Sequence, residues 1–276
     1  MQDCFKTILI PVDLTLNTEV AVKKSLELAT AGTQIHLLHI YNYALNGLPI
    51  FYHKPANTIE TVRMQLEQWR TAIEDAGEGV KVFTWLDRKG VIQQCIESKA
   101  REVKADLIIL GKHSHHSYFP LLNKVLPNKM AKSTGVPVLT VKPGALHSRI
   151  KTVIVPITSN AARNKMQMIQ MIAKKCSVKV HLIAYADTDA SPDFYASVLI
   201  QMYQWLKASL HCQVEYAVLN GKNKAKILLE YAEKVNADVL LVHPEVETRM
   251  GWWNRHISDM LPAASKVQVL AVQPAA

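Results

Sequence analysis

The residues best suited by type to do chemistry cluster after Gly111, where Lys112, His113, His115, His116 and Lys124 share one predicted loop. Imidazole is a common zinc ligand and a general base near neutral pH. Adjacent histidines in a loop point apart, however, and the nearest carboxylate in sequence is Asp106, with no cysteine beside them. The plainer reading is a solvated basic loop, and no metal is expected. The chain contains no GxSxG, no HExxH and no eight-residue phosphate loop ending in Gly-Lys-Ser or Gly-Lys-Thr. Asp13 is the one carboxylate expected at a cleft, and a lone aspartate is not an acid/base pair. A dedicated hydrolase or phosphotransferase is therefore not expected.

Positioning these residues falls to a repeated pattern. Ala105-Asp106 precedes the apolar run Leu107 to Leu110, and Ala237-Asp238 precedes Val239 to Val242, an offset of 132 that also relates Val138–Val141 to Leu270–Gln273. Nearer the amino ends, Lys6–Val12 maps onto Lys151–Ile157 at an offset of 145, so the second copy is 13 residues shorter. The loop Tyr41 to Asn57, with Gly47, Pro49 and Pro55, is the natural place for that difference. A repeat of this length is a whole domain, not a solenoid unit. Two homologous domains are expected, 1–143 and 150–274, joined near Pro143 to Arg149.

Composition agrees: 276 residues with 49% hydrophobic content suffice for two ordinary cores. No apolar run approaches the roughly 20 residues that span a bilayer, and the start, Met1 to Lys6, lacks the pattern of a secretion signal. A cytoplasmic protein with no membrane partner is expected. Cys4, Cys95, Cys176 and Cys212 show no CxxC spacing, which argues against a disulfide framework; Cys95 and Cys176 fall in helical patterns and read as buried thiols. The formal charge of +9 raises the question of an anionic partner. Its lysines are dispersed, with Lys23-Lys24 and Lys174-Lys175 on predicted helix faces, so solvated faces are expected and no specific nucleic acid.

Along each half, strands and helices alternate. Phe5 to Val12 reads as a strand buried on both faces, as parallel sheets require. A helix follows over Thr18 to Ala29, with Asn17 or Thr18 as its cap, and Gln34 to Ile40 is the second strand. Helices at Asn57 to Ala76, Val91 to Val103 and Lys124 to Ser133 separate strands at Val80 to Leu86, Asp106 to Leu110 and Val136 to Val141. The second half repeats the order and ends on Val267 to Val272. The fold class is α/β, two doubly wound five-stranded parallel-sheet domains with right-handed crossovers. In such sheets ligands sit beyond the carboxyl ends of the strands, where the strand order reverses. That places Asp13, Ile40 and the residues from Gly111 onward at one site, with Thr158, Tyr185 and His243 at its counterpart.

At these residues the chain resembles the universal stress protein family in its tandem form. The resemblance is carried by Ile8–Asp13, Leu37-Leu38-His39-Ile40, Ala105–Gly111 and Pro137–Val141. It implies an adenine-nucleotide alpha-hydrolase-like fold and an intrachain pseudo-dimer in which the two fifth strands pair. It also implies an adenosine site at Pro11, Val12, Asp13 and Ile40. Nucleotide-binding members carry a loop of Gly, two residues, Gly, nine residues, then Gly with Ser or Thr. Here those positions hold Gly111, Ser114, Lys124 and Val125, with Lys112 and His113 between the first two. In the second copy they hold His243, Val246, His256 and Ile257, and Thr158 stands where the first copy has Asp13.

By this resemblance the chain is a stress-response or regulatory binding protein with degenerate nucleotide loops, acting through unknown protein partners, and no cofactor is expected. The alternative is an ATP-binding protein with slow ATPase activity at the first domain only, or a weak anionic ligand there. Trp252-Trp253, in the counterpart loop, is expected to plug the vacated cleft or to pack between the halves. A further homodimer of pseudo-dimers is open.

Overall fold

The computed structural model describes residues 4–41, 58–87, 91–112, 125–157, 162–186, 192–210, 212–221, 223–243 and 257–273. The first half runs β1 (Thr7–Val12), α1 (Leu16–Leu28), β2 (Gln34–Ile40), α2 (Ile59–Ala76), β3 (Lys81–Asp87), α3 (Ile92–Glu102), β4 (Leu107–Gly111), α4 (Pro127–Thr134) and β5 (Val138–Val141). The second runs β6 (Thr152–Pro156), α5 (Ala162–Lys175), β7 (Lys179–Tyr185), α6 (Pro192–Leu210), β8 (Gln213–Leu219), α7 (Lys224–Lys234), β9 (Val239–Val242), α8 (Ile257–Met260) and β10 (Gln268–Ala271). Helix and strand starts differ from the periodicity by a few residues. The cap of α1 is Thr15, not Asn17 or Thr18, because the Thr15 hydroxyl accepts the Asn17 amide.

The ten strands form one sheet in the order β3-β2-β1-β4-β5-β10-β9-β6-β7-β8. Neighbours are parallel except β5 and β10, which pair antiparallel with Val138 opposite Ala271, Leu139 opposite Leu270 and Thr140 opposite Val269. The two fifth strands thus cover each other's edges within one chain, as the resemblance implied. On the α1 face the core runs unbroken across the seam: Leu139 and Val141 share a cluster with Leu270, Val272 and Ile169. On the opposite face each half keeps its own cluster, around Ile96 and Met130 in one and Leu228 and Leu240 in the other.

The repeated Ala-Asp pairs explain themselves physically. Asp106 accepts the backbone N–H groups of Lys6 at 2.8 Å and Thr7 at 3.2 Å, and Asp238 accepts those of Lys151 and Thr152, both at 2.9 Å. Each carboxylate satisfies amide donors where the first strand of its half begins and ties that strand to the loop before the fourth. The residues two before them, Lys104 and Asn236, both turn through positive φ, at 53° and 54°. This junction is therefore copied down to its backbone angles, and neither aspartate is available for catalysis.

The connection between halves is held from both sides. The amide of Gly144 donates to the Ala263 carbonyl at 2.8 Å, and a Cβ at Gly144 would lie 2.0 Å from the Ala264 carbonyl oxygen. No larger residue fits there without moving backbone. From α1, the Lys24 ammonium donates to the Ser148 carbonyl and pairs with Glu27 at 2.9 Å, while Glu27 accepts the Ile150 amide at 2.6 Å. This corrects the reading of Lys23-Lys24 as a solvated face: Lys24 is fully buried, because the connector folds over it and supplies the carbonyl it needs. All four cysteines are free. Cys176 is buried as expected, with burial pushing its thiol up to about 11, whereas Cys95 is half-buried.

Replacing Asp106 or Asp238 by Ala leaves two strand-start amides without an acceptor. Each substitution is expected to lower unfolding free energy by about 1–3 kcal/mol, measured by urea denaturation.

Candidate functional site

In the first half the strand order reverses at β1, which has β2 on one side and β4 on the other. The carboxyl ends of these strands bring Pro11, Val12, Asp13, Ile40, Gly111 and Lys112 to one end of the sheet. The remaining expected residues, His113, Ser114 and Lys124, lie outside the described residues, as do His115, His116, Trp252-Trp253 and Thr158.

Asp13 heads a turn that consumes most of its carboxylate. Its Oδ1 accepts from the Thr15 amide at 3.1 Å, the Thr15 hydroxyl at 2.6 Å and the Thr18 hydroxyl at 2.9 Å, and Asn17 Nδ2 lies 3.5 Å from Oδ2. The Thr18 oxygen in turn accepts the amides of Asp13 and Leu14, each at 3.1 Å, while Leu14 turns through φ of 59°. The side chain fixes the start of α1 and leaves chiefly Oδ2 for a ligand. Val12 packs in the α1-side core and Ile40 in the opposite one. The imidazole of His39 donates from Nδ1 to the Val12 carbonyl at 2.9 Å, and burial holds its pKa below the ordinary histidine value against that bond.

Gly111 is a glycine for a packing reason. A Cβ there would come within 2.3 Å of the Asn17 carbonyl oxygen, so α1 crosses too close for any side chain. Val125, aligned with the hydroxyl position of the phosphate loop, is instead a core residue, 1% exposed and clustered with Ile40, Leu110 and Met130.

Lys112 departs furthest from a phosphate-binding role. Its ammonium is buried, donates to the Val125 carbonyl at 3.0 Å and pairs at 3.0 Å with Asp259 on α8, an element of the other half. The Lys112 amide is likewise taken by the Val141 carbonyl at 3.0 Å. Next to this pair lies Lys142, also buried. Burial, with the positive charge of Lys112, pulls its pKa down to about 8, partly opposed by Asp259. Asp259 thus pairs with the lysine that follows β4 and acts through its charge on the one that follows β5.

The second half is closed differently. His243, standing where Gly111 stands in the first half, is buried and its Nδ1 donates to the Val272 carbonyl at 2.7 Å. Lys165 on α5 donates to the Pro156 carbonyl at 2.6 Å, beneath the end of β6. Tyr185, the counterpart of Ile40, is buried with the Lys224 ammonium 5.4 Å from its ring centroid. Sequence reasoning missed Lys112, Lys142 and Lys165 as buried charges, and Asp259 as the partly buried partner of Lys112. For Lys165 a signal existed, since it sits on the stripe of Met168, Ile169 and Ile172 where a helix buries its apolar face. Among the described residues no group of three His, Cys, Asp or Glu side chains could hold a metal ion.

A doubly wound, twice-repeated α/β chain joined at its two fifth strands defines the class to which these observations point. The sequence model of the universal stress protein family matches residues 5–142, half of the chain, and the chain belongs to that family. A universal stress protein from Archaeoglobus fulgidus DSM 4304 is 19% identical with a TM-score of 0.68, covering 99% of both chains. A putative universal stress protein from Pseudomonas aeruginosa UCBPP-PA14 is 16% identical at a TM-score of 0.56, covering 99% of this chain and 94% of that one. The cytoplasmic domain of a prokaryotic cation chloride cotransporter is 10% identical at 0.58, covering 97% and 95%. At these identities the likeness is one of fold. A comparison with curated proteins gives no match. Among the described residues no helix is long and apolar enough to cross a membrane.

Two tests probe the seam charges. Asp259→Ala strands a buried lysine and is expected to cost about 3–5 kcal/mol in urea denaturation. Lys142 titrates near 8 when folded and near 10.5 as an ordinary lysine, so between these values the unfolded chain binds the extra proton. Its contribution to stability is therefore full above pH 10.5 and lost as pH falls through 8. Across that window the unfolding free energy of the wild type is expected to rise relative to that of Lys142→Met.

Proposed function

We propose that this chain is a non-enzymatic regulatory binding protein of the tandem universal stress type. Its two domains are 1–143 and 150–274, and their ancestral nucleotide loops have been converted to structural use. The observation that carries this reading is the commitment of Lys112. A cation next to the first glycine of a phosphate loop serves a nucleotide only if it faces the ligand, whereas this one is buried against Val125 and Asp259. The Asp13 carboxylate, turned largely onto Thr15 and Thr18, supports the same reading. So does the imidazole at the glycine position of the second half. Among the described residues no acid/base pair accompanies these groups, and on this reading the output of the protein lies in what it binds.

The protein as purified is weighed by native and denaturing mass spectrometry and then titrated calorimetrically with millimolar magnesium ATP. The expected result is an equal mass in both states, no saturable heat and no phosphate release above the buffer rate. An ATP molecule held one per chain and displaced by Asp13→Ala would replace this reading with that of an ATP-binding, slowly hydrolysing first domain.

A further inference from the structure

The geometry points to a phosphate-binding site at the opposite, amino end of the strands, in the hollow between the interdomain connector and β9: a site for a small phosphomonoester or for free phosphate. The hollow is about 400 Å³ and is lined by His147, Arg149, Lys151, Lys266, Asn236 and Asp238, together with connector backbone. That volume falls within the range of small-ligand pockets.

Three features make this a built arrangement and not a scatter of surface lysines. First, the connector is pinned from its inner side. Ser148 and Ile150 are anchored inward, by the Lys24 ammonium and the Glu27 carboxylate, so His147, Arg149 and Lys151 all turn outward and all three are exposed. Second, the only carboxylate in the lining is already saturated. Asp238 is buried, accepts the Lys151 and Thr152 amides and pairs with Lys266, whose ammonium also donates to the Asn236 carbonyl at 2.7 Å. Among the described residues the Arg149 and Lys151 side chains have no carboxylate partner. Asp238 cancels Lys266, so two unpaired positive charges remain, and they match a phosphomonoester dianion. Third, the arginine has no counterpart in the other copy: at the offset of 145 Lys151 corresponds to Lys6 but Arg149 to Cys4, so an arginine beside this lysine is found only where the connector enters the second half.

This site is independent of the carboxyl-end cleft and of the reading given for it. The test is calorimetric titration at low ionic strength with inorganic phosphate in one arm and glucose 6-phosphate in the other, with glucose as the uncharged reference. Saturable binding is expected in at least one phosphate arm and none with glucose; tighter binding of glucose 6-phosphate than of phosphate assigns an organic phosphomonoester, and the reverse assigns the free anion. The double variant Arg149→Ala/Lys151→Ala is expected to weaken it about tenfold or more, by removing both unpaired charges. The swap Arg149→Lys/Lys151→Arg is expected to restore most of it. A charge-matched control, Lys129→Ala/Lys175→Ala, alters exposed lysines outside the hollow and is expected to leave affinity unchanged. All side chains replaced are exposed, so unfolding midpoints should hold. No saturable binding of either phosphate probe would overturn the proposal. So would an affinity that the Arg149/Lys151 variant leaves intact, or one that the control weakens equally, which would mark diffuse attraction to a basic protein.

Discussion

The antiparallel pairing of β5 with β10 is the constraint on which the rest of this molecule depends. A five-stranded doubly wound unit ends in a strand with unpaired amides and carbonyls along one side and apolar side chains on both faces. Val138, Leu139, Val269 and Leu270 are all buried at that edge, so neither half could leave it to water. Pairing the two edges satisfies both backbones at once and lets the α1-side core run through without a break. A separate-chain dimer would meet the same requirement at the expense of association entropy, which a covalent connector removes.

Once the halves are fused, the seam can hold charges that a symmetric dimer would have to place twice. Lys112 reaches Asp259, and Lys142 lies near both, while Lys24 and Glu27 grip the connector. A buried ammonium is tolerated only where carbonyls and carboxylates replace its water, as Ser148 and Glu27 do for Lys24 and Val125 and Asp259 do for Lys112. The ligand end of the first half is where this substitution has gone furthest: the cation beside Gly111 now fastens two halves together. In the second half an imidazole and the Lys165 ammonium occupy the corresponding strand ends.

The halves differ in what was reused as well as in what was lost. The Ala-Asp junction is preserved at both copies, with the same amides accepted and the same positive φ two residues before. That junction anchors the first strand of each half, so it is needed for folding whether or not anything is bound. The connector, by contrast, has no copy, and it adds Arg149 beside Lys151, the counterpart of Lys6, around the hollow that Asp238 and Lys266 line.

How far the sequence alone determines this protein follows from the range of the forces involved. Local patterning specifies β1 as a strand buried on both faces and places ten strands in two sets of five, because apolar periodicity and repetition are written in neighbouring residues; that Val136–Val141 and Val267–Val272 meet is implied only by the resemblance to the family. It also marks the nucleotide loop as altered, since Ser114, Lys124 and Val125 stand where glycines and a hydroxyl are needed. Only the tertiary structure decides the fate of the charges. Neither Lys24 nor Lys112 reads as buried from its neighbours, because besides the nearer Glu27 and Val125 each draws an oxygen from far along the chain, Ser148 and Asp259, 124 and 147 residues away. Gly111 likewise reads as a phosphate-loop glycine in the sequence and becomes, in the fold, the point where α1 crosses the sheet end too closely for a side chain.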